Sequence, residues 1–382
     1  MRNPSQGLGA ERIPRLADTP YGGCASSTSA AARLDDMDVL VCATQAPFRP
    51  DGPASVVEDL VADLVAALDA AGHRAEAVLV PAAADPERLL DAALAWRLIP
   101  LDADVVIAVD FPATFARHPR KVTWLVDGSR SGSSGPSGPE VRPDLDATWS
   151  DDLRQVVDWD TRALAEARQR HAVSEVLALR VRRRCGLSTT VLPAPPPLAD
   201  RLHPRSEGPG SFFLHVARPG VDERVGLFLA GLAATRRAVP GVVASLGPPA
   251  AHLAEDVARL GLGDRVHLPS SVRDRNQLDL FANAVAVVHA PVDADQAPVT
   301  LQAFRAGVPV ITTADSGPAL EWVEHEVTGL VTDGTAVAMG AAITRLAADP
   351  ELAHRLGAAG RERVRDIGWD RVVGSLLAGA RS

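Results

Sequence analysis

The sequence predicts an α/β fold of two Rossmann-like halves, each a doubly wound parallel sheet, facing one another across a cleft. Three observations carry this expectation. Short Val-rich runs bounded by Gly, Pro or Asp alternate with stretches of helical spacing, as buried parallel strands alternate with their crossover helices. The alternation occurs twice, on either side of a Pro-rich linker that begins with APPP at 194–197 and runs to Gly210. Residues 284–331, AVAVVHAPVDADQAPVTLQAFRAGVPVITTADSGPALEWVEHEVTGLV, read as a strand (284–288), a loop (291–298), a helix (299–306) and a strand (309–311). That βαβ unit presents a loop opening onto a helix N-terminus, where an open parallel sheet receives a phosphate-bearing ligand.

Residues 1–36 are rich in Ser, Ala, Gly and Arg without periodicity and are expected to form a disordered lead, with Met37 an alternative start. The first half, 37–197, opens on the apolar run 38–43, followed by a Pro-rich turn at 44–51. Residues 55–71 place Val57, Leu60, Val61, Leu64 and Leu68 on one helical face, and Gly72 ends that helix in the C′ role. Further strands are expected at 75–80, 104–109 and 121–126, with a helix at 85–98. The Ser/Gly/Pro stretch 128–146 is too polar to pack and reads as a flexible loop. Helices at 151–169 and 175–184 flank a strand at 171–173, and 189–192 is the last strand of this half.

After the linker, set at 198–210, the second half (211–368) repeats the logic. Strands are expected at 212–216, 242–246 and 265–268, and helices at 222–238, 250–260 and 273–282. Beyond the βαβ unit, 335–348, 350–366 and 369–380 read as helices, the last (within 369–382) packing back across the junction.

Bulk composition excludes several classes of function. A net charge of −9 leaves no basic face for nucleic acid, and 4% aromatic residues supply few stacking platforms. Three cysteines without metal-ligand spacing argue against a disulfide framework and fit a reducing compartment. With no apolar run of membrane-spanning length, a cytoplasmic location is expected.

Several stretches then carry a resemblance. The 284–331 sequence, RLGLGDRVHLPSSVRDRNQLDLFANAVAVVHAP before it and LAADPELAHRLGAAGRERV after it are similar to the retaining GT-B glycosyltransferases of family 4 (group 1). In the first half CATQAPF, DLVAALDAAGHRAEAVLVP and VVIAVDFPATFARHPRKVTWLVD fit the same family, so the resemblance runs from residue 38 to 371. It implies GT-B architecture and transfer of a sugar from a nucleotide-sugar donor, bound by the second half, to an acceptor held by the first. Stereochemistry would be retained, and neither a metal nor a cofactor beyond the nucleotide-sugar cosubstrate would be needed. The acceptor is not identified.

Carried over residue by residue, the resemblance also marks departures. The family's two glutamates, which hold donor-sugar and ribose hydroxyls, correspond to Ala294 and Gln302. Asp293 and Asp295 flank the first position and can substitute for it, and Gln302 retains hydrogen-bonding capacity toward a ribose. An Arg and a Lys that neutralise the departing diphosphate correspond to Arg218 and Glu223, with Arg224 beside the latter. A first-half His corresponds to Asp127. The catalytic candidates are therefore Arg218, Arg224 and Asp127. The donor-binding candidates are Asp293, Asp295, Gln302, Thr300, Val299, Ser316, Gly317 and Gly247, and no residue is assigned to a metal.

Each candidate also has a plainer reading. Arg218 can be a solvated loop arginine, Gln302 a helix-surface group, and Asp293 and Asp295 solvated carboxylates. Ser316 suits a helix N-cap. Glu321 would open a helical EWVEHE stretch as a structural group. His118 reads as a turn histidine and His289 as a satisfied strand-end residue. The 180–184 RVRRR cluster is either a solvated helix end or a contact for an anionic lipid surface or phosphorylated acceptor. For the whole chain, the alternative to a transferase is a catalytically degenerate GT-B protein that partners or scaffolds a glycan pathway.

Overall fold

The computed structural model describes residues 36–45, 56–81, 89–126, 151–204, 208, 210–218, 223–235, 238–246, 252–269, 272, 274–292 and 294–381. Residues 1–35 of the expected lead, the 128–146 loop, Asp127, Gly247 and Asp293 lie outside the described residues.

The first half runs β1 (Asp38–Gln45), α1 (Val56–Ala70), β2 (Arg74–Pro81), α2 (Leu89–Leu98), β3 (Val105–Ala108), β4 (Lys121–Leu125), α3 (Asp151–Ala165), β5 (Gln169–Ala172), α4 (Glu175–Cys185) and β6 (Thr190–Val191). Its six strands lie in the order β2-β1-β3-β4-β5-β6, with every pairing parallel. The second half runs β7 (Phe212–Ala217), α5 (Val225–Ala234), β8 (Gly241–Ser245), α6 (His252–Arg259), β9 (Val266–His267), α7 (Asp274–Asn283), β10 (Ala284–Val288), α8 (Pro298–Arg305), β11 (Val310–Thr313), β12 (Gly329–Thr332), α9 (Ala336–Ala348) and α10 (Pro350–Arg363). Its order is β12-β11-β10-β7-β8-β9, again parallel throughout. Both sheets are therefore doubly wound. The order reverses between β1 and β3 in the first and between β7 and β10 in the second.

The second sheet is covered on both faces, which explains why its strands read as unbroken apolar runs rather than alternating ones. Phe213, Phe228, Val243 and Val288 belong to one core layer; Leu214, Val216, Val287 and Phe304 belong to the other. Helix α8 is fixed from behind by α10. Gly307 ends α8 at φ +69°, and a Cβ on Gly357 would meet the Gly307 carbonyl oxygen at 2.0 Å. Only a glycine at 357 lets the two backbones approach so closely.

Helix α11 (Trp369–Arg381) leaves the second half and returns to the first. Val372, Val373, Leu376 and Leu377 are buried in the first core with Val39, Val41 and Trp124. The Trp369 ring meets Trp124 edge-on at 6.2 Å, while the Trp124 indole N–H donates to Leu192 O at 2.8 Å.

Three local expectations are corrected. The helix expected over 222–238 begins at Val225, because Arg224 adopts a left-handed backbone with φ 52°. EWVEHE is not helical. A short 3₁₀ turn, Gly317–Glu321, ends there, and the Thr328 hydroxyl ties the following loop by accepting from Glu324 N–H and donating to Trp322 O. Finally, Gly329–Thr332 forms the edge strand β12, which the sequence reading passed over.

Candidate functional site

Open parallel sheets bind ligands beyond the carboxyl ends of the strands, where the strand order reverses. In the second sheet this point lies between β7 and β10, and the first residues past those strands are Arg218 and His289. Both are buried, so Arg218 is not a solvated loop residue. Its Nε donates to Glu223 Oε1 at 2.6 Å. The other carboxylate oxygen, Oε2, lies 3.2 Å from His289 Nε2. His289 Nδ1 in turn sits 2.8 Å from the Thr300 hydroxyl in the first turn of α8. Four side chains from three elements thus form one continuous buried chain.

This chain explains how a carboxylate is tolerated at position 223. Burial pushes the Glu223 carboxyl up, but His289 and Arg218 more than offset it, leaving the group at about 2. Glu223 is therefore ionised, and its charge is matched within the protein. His215, on β7 next to the network, stacks on Phe228 at 5.4 Å, and burial pushes its imidazole down to about 4.

Arg224 lies at the mouth of the same crevice. Its guanidinium grips Asp315 through two parallel bonds of 2.7 Å and also donates to Thr313 Oγ1 at 2.9 Å. The Arg224 contact, with a smaller contribution from Thr313, holds Asp315 at about 2. A forked grip of this kind, on a residue with positive φ, places Arg224 firmly. Ser316 does not cap the 3₁₀ turn; it is fully buried, with its hydroxyl 2.5 Å from Thr313 Oγ1. Gly317, at φ +46°, faces Ala294 O, which a Cβ there would meet at 3.8 Å. Val299 is buried core. Helix α8 starts with Pro298 at its first turn, and the preceding Ala297 offers no side-chain cap.

The remaining donor candidates face the first half. Gln302 is buried rather than on a helix surface, and its amide donates to Pro197 O at 3.1 Å. Asp295 is not solvated either: Arg180 of α4 donates to it at 2.7 Å, so Arg180 is not simply a solvated helix end. Glu321 accepts from Val176 N–H at 2.9 Å, supplying from the second half an acceptor for the first turn of α4, where Ser174 already accepts from Leu177 N–H. His118 is the turn residue expected, accepting from Arg120 N–H, with its other ring nitrogen 3.0 Å from Ala103 O.

Two features escaped sequence reasoning. Asp110 stands just past β3, at the order reversal of the first sheet, and both its oxygens accept from Thr44 N–H, at 3.0 and 3.1 Å. Its signal was a lone carboxylate closing the apolar run VVIAV. The pairing of Glu223 with His289 had no local signal, because the two residues belong to loops that only the sheet brings together.

Residues 222–363 match the family model described as Glycosyl transferases group 1. Over 173 residues the chain is 34% identical to the GDP-mannose-dependent alpha-(1-6)-phosphatidylinositol monomannoside mannosyltransferase of Mycobacterium tuberculosis, which covers 42% of this chain and 44% of that protein. The chain spans less than half the length of the curated relatives it matches. The fold is similar to that of a glycosyltransferase from Rickettsia africae ESF-5, with a TM-score of 0.67, 13% identity and coverage of 91% of this chain and 98% of the other. It is also similar to Anabaena Alr3699/HepE, a structure in complex with UDP and glucose, with a TM-score of 0.63, 16% identity and coverage of 90% and 98%.

Proposed function

We propose, on the premise that this chain has the GT-B fold and that its residues 222–363 are a glycosyl transferases group 1 domain, that it transfers a sugar from a nucleotide-sugar donor to an acceptor held by its first half. The observation that carries this reading is the placement of Arg218 and Arg224 at the order reversal of the second sheet, beside the start of α8. Two cations and a helix N-terminus at one crevice suit a diphosphate, whose charge grows as the sugar leaves. The relative named for GDP-mannose makes that donor the first to try, and UDP-glucose the second, after the Anabaena protein's ligands.

Transfer would proceed with retention, the donor's own phosphate oxygen taking the proton of the attacking hydroxyl. No protein base is then required, and no metal is assigned to this chemistry. Thr44 and Asp110, at the matching reversal of the first sheet, mark where the acceptor would lie.

The same geometry gives a second reading its support. Arg218 is tied to Glu223, Arg224 to Asp315 and Gln302 to Pro197, as in a chain that keeps the fold as a non-catalytic partner in a glycan pathway. One experiment separates the two. Purified protein is titrated with GDP, UDP, GDP-mannose and UDP-glucose while its melting temperature and the release of nucleoside diphosphate are followed. A shift of several degrees is expected, since ligand at one hundred times Kd adds about 2.7 kcal/mol. No shift and no release with any of them would favour the non-catalytic reading.

A further inference from the structure

We propose that Glu223 is a positioning residue that turns Arg218 toward a phosphate-bearing ligand, rather than a charge that repels one. The inference deepens the donor-site reading and rests on it.

The argument starts from what each atom of the network faces. Glu223 Oε1 takes the Nε edge of Arg218 at 2.6 Å. A guanidinium held through its Nε–H has its stem fixed; of its two terminal nitrogens, one shares the Nε edge and the other faces away from the partner. Among the described residues those nitrogens have no hydrogen-bond partner, and Arg218 stands one residue past β7, at the order reversal. The remaining charge of Glu223 is turned inward. Its Oε2 lies 3.2 Å from His289 Nε2, but the approach is not aligned as a hydrogen bond, and both atoms are fully buried without one among the described residues. The second carboxylate oxygen is therefore buried against His289 rather than exposed. Thr300 anchors His289 at 2.8 Å, so the support for Arg218 reaches the first turn of α8, the other phosphate-facing element.

A carboxylate near a diphosphate would ordinarily weaken binding by repulsion, and its removal would then tighten binding. Positioning makes the opposite prediction, which allows a direct test. Wild type, Glu223→Gln and Glu223→Ala are titrated with UDP, GDP and inorganic pyrophosphate, and the Arg218 side-chain Nε–H is followed by ¹⁵N NMR in each protein. Glu223→Gln keeps an acceptor for Arg218 Nε and is expected to bind within a few-fold of wild type. Glu223→Ala releases the guanidinium and is expected to bind about tenfold more weakly. The Nε–H resonance is expected to exchange slowly in wild type and Glu223→Gln and to be lost in Glu223→Ala. Tighter binding by both variants would overturn the proposal, as would a wild-type Nε–H that exchanges as fast as a free guanidinium. Should wild type bind none of the three probes, the donor-site reading fails. The Nε–H comparison then decides whether Glu223 orders Arg218, and an unchanged resonance in Glu223→Ala refutes it. Should Glu223→Ala not fold, Glu223→Leu takes its place, judged by the same two readouts.

Discussion

Glu223 shows how a single side chain changes meaning with its neighbours. Its carboxyl is held at about 2 against an ordinary 4.5. A carboxylate with a depressed folded pKa adds stability above its unfolded pKa and loses it as pH falls through the folded one, here from about 4.5 to about 2. At about 1.4 kcal/mol per pH unit the loss is on the order of 3 kcal/mol. The urea midpoint of wild type is expected to fall across that window more steeply than that of Glu223→Gln; parallel pH slopes would show that the carboxylate is not linked to folding. The sequence supported the position of Arg218, because a residue closing a Val-rich strand is placed by pattern alone. It gave a carboxylate at 223 and no means of seeing its partner, because a charge is judged by its solvation and His289 arrives from a separate strand. For the same reason Asp295 and Gln302 read as surface groups: nothing local announces that α4 and Pro197 cover them.

At the scale of elements, the parallel strands and crossover helices were legible because burial on both faces writes a continuous apolar run into each strand. β12 was not, because GLVT is short and begins with glycine, a weak strand former. EWVEHE misled in the opposite sense. Its residues favour helix, yet Pro318 and the Thr328 bonds hold the segment in a tight turn, which lets Glu321 point out toward α4. The packing of α10 on α8 rests on a small residue. In Gly357→Ala the new Cβ would fall 2.0 Å from the Gly307 oxygen, a backbone atom with no rotamer to retreat into. Because α8 carries Thr300 and Gln302, the substitution is expected to lower stability by about 1–3 kcal/mol in chemical denaturation and to weaken nucleotide binding as well. By contrast Gly374, whose added Cβ would meet nothing within 4 Å, should accept alanine with no loss. Equal behaviour of the two variants would mean that α10 can shift.

For the whole molecule, contacts between the halves come from the elements that build the candidate site. Arg180–Asp295 and Val176–Glu321 link α4 to the loop and turn around α8, and Gln302 holds the start of the linker. The first is a partly exposed ion pair worth about 1 kcal/mol or less, so it orients more than it stabilises. The second satisfies a backbone N–H that would otherwise lose a partner at the start of α4. Glu321→Ala is expected to raise hydrogen exchange at Val176 by about tenfold while leaving the β1 and β3 amides unchanged. Uniform acceleration would indicate general destabilisation instead.

The return of α11 to the first core has a mechanical corollary. The polypeptide passes between the halves twice, once along 198–210 and once between α10 and α11, with the second half inserted between two stretches of the first. A body tethered at one point can swivel about many axes, whereas one tethered at two has fewer. Two crossings restrict the relative motion of the halves more than a single tether would. Fluorophores placed on β1 and α11 would ride on the same body and be blind to that motion, so a reporter of opening needs one label inside the insert, on a surface such as that of α9.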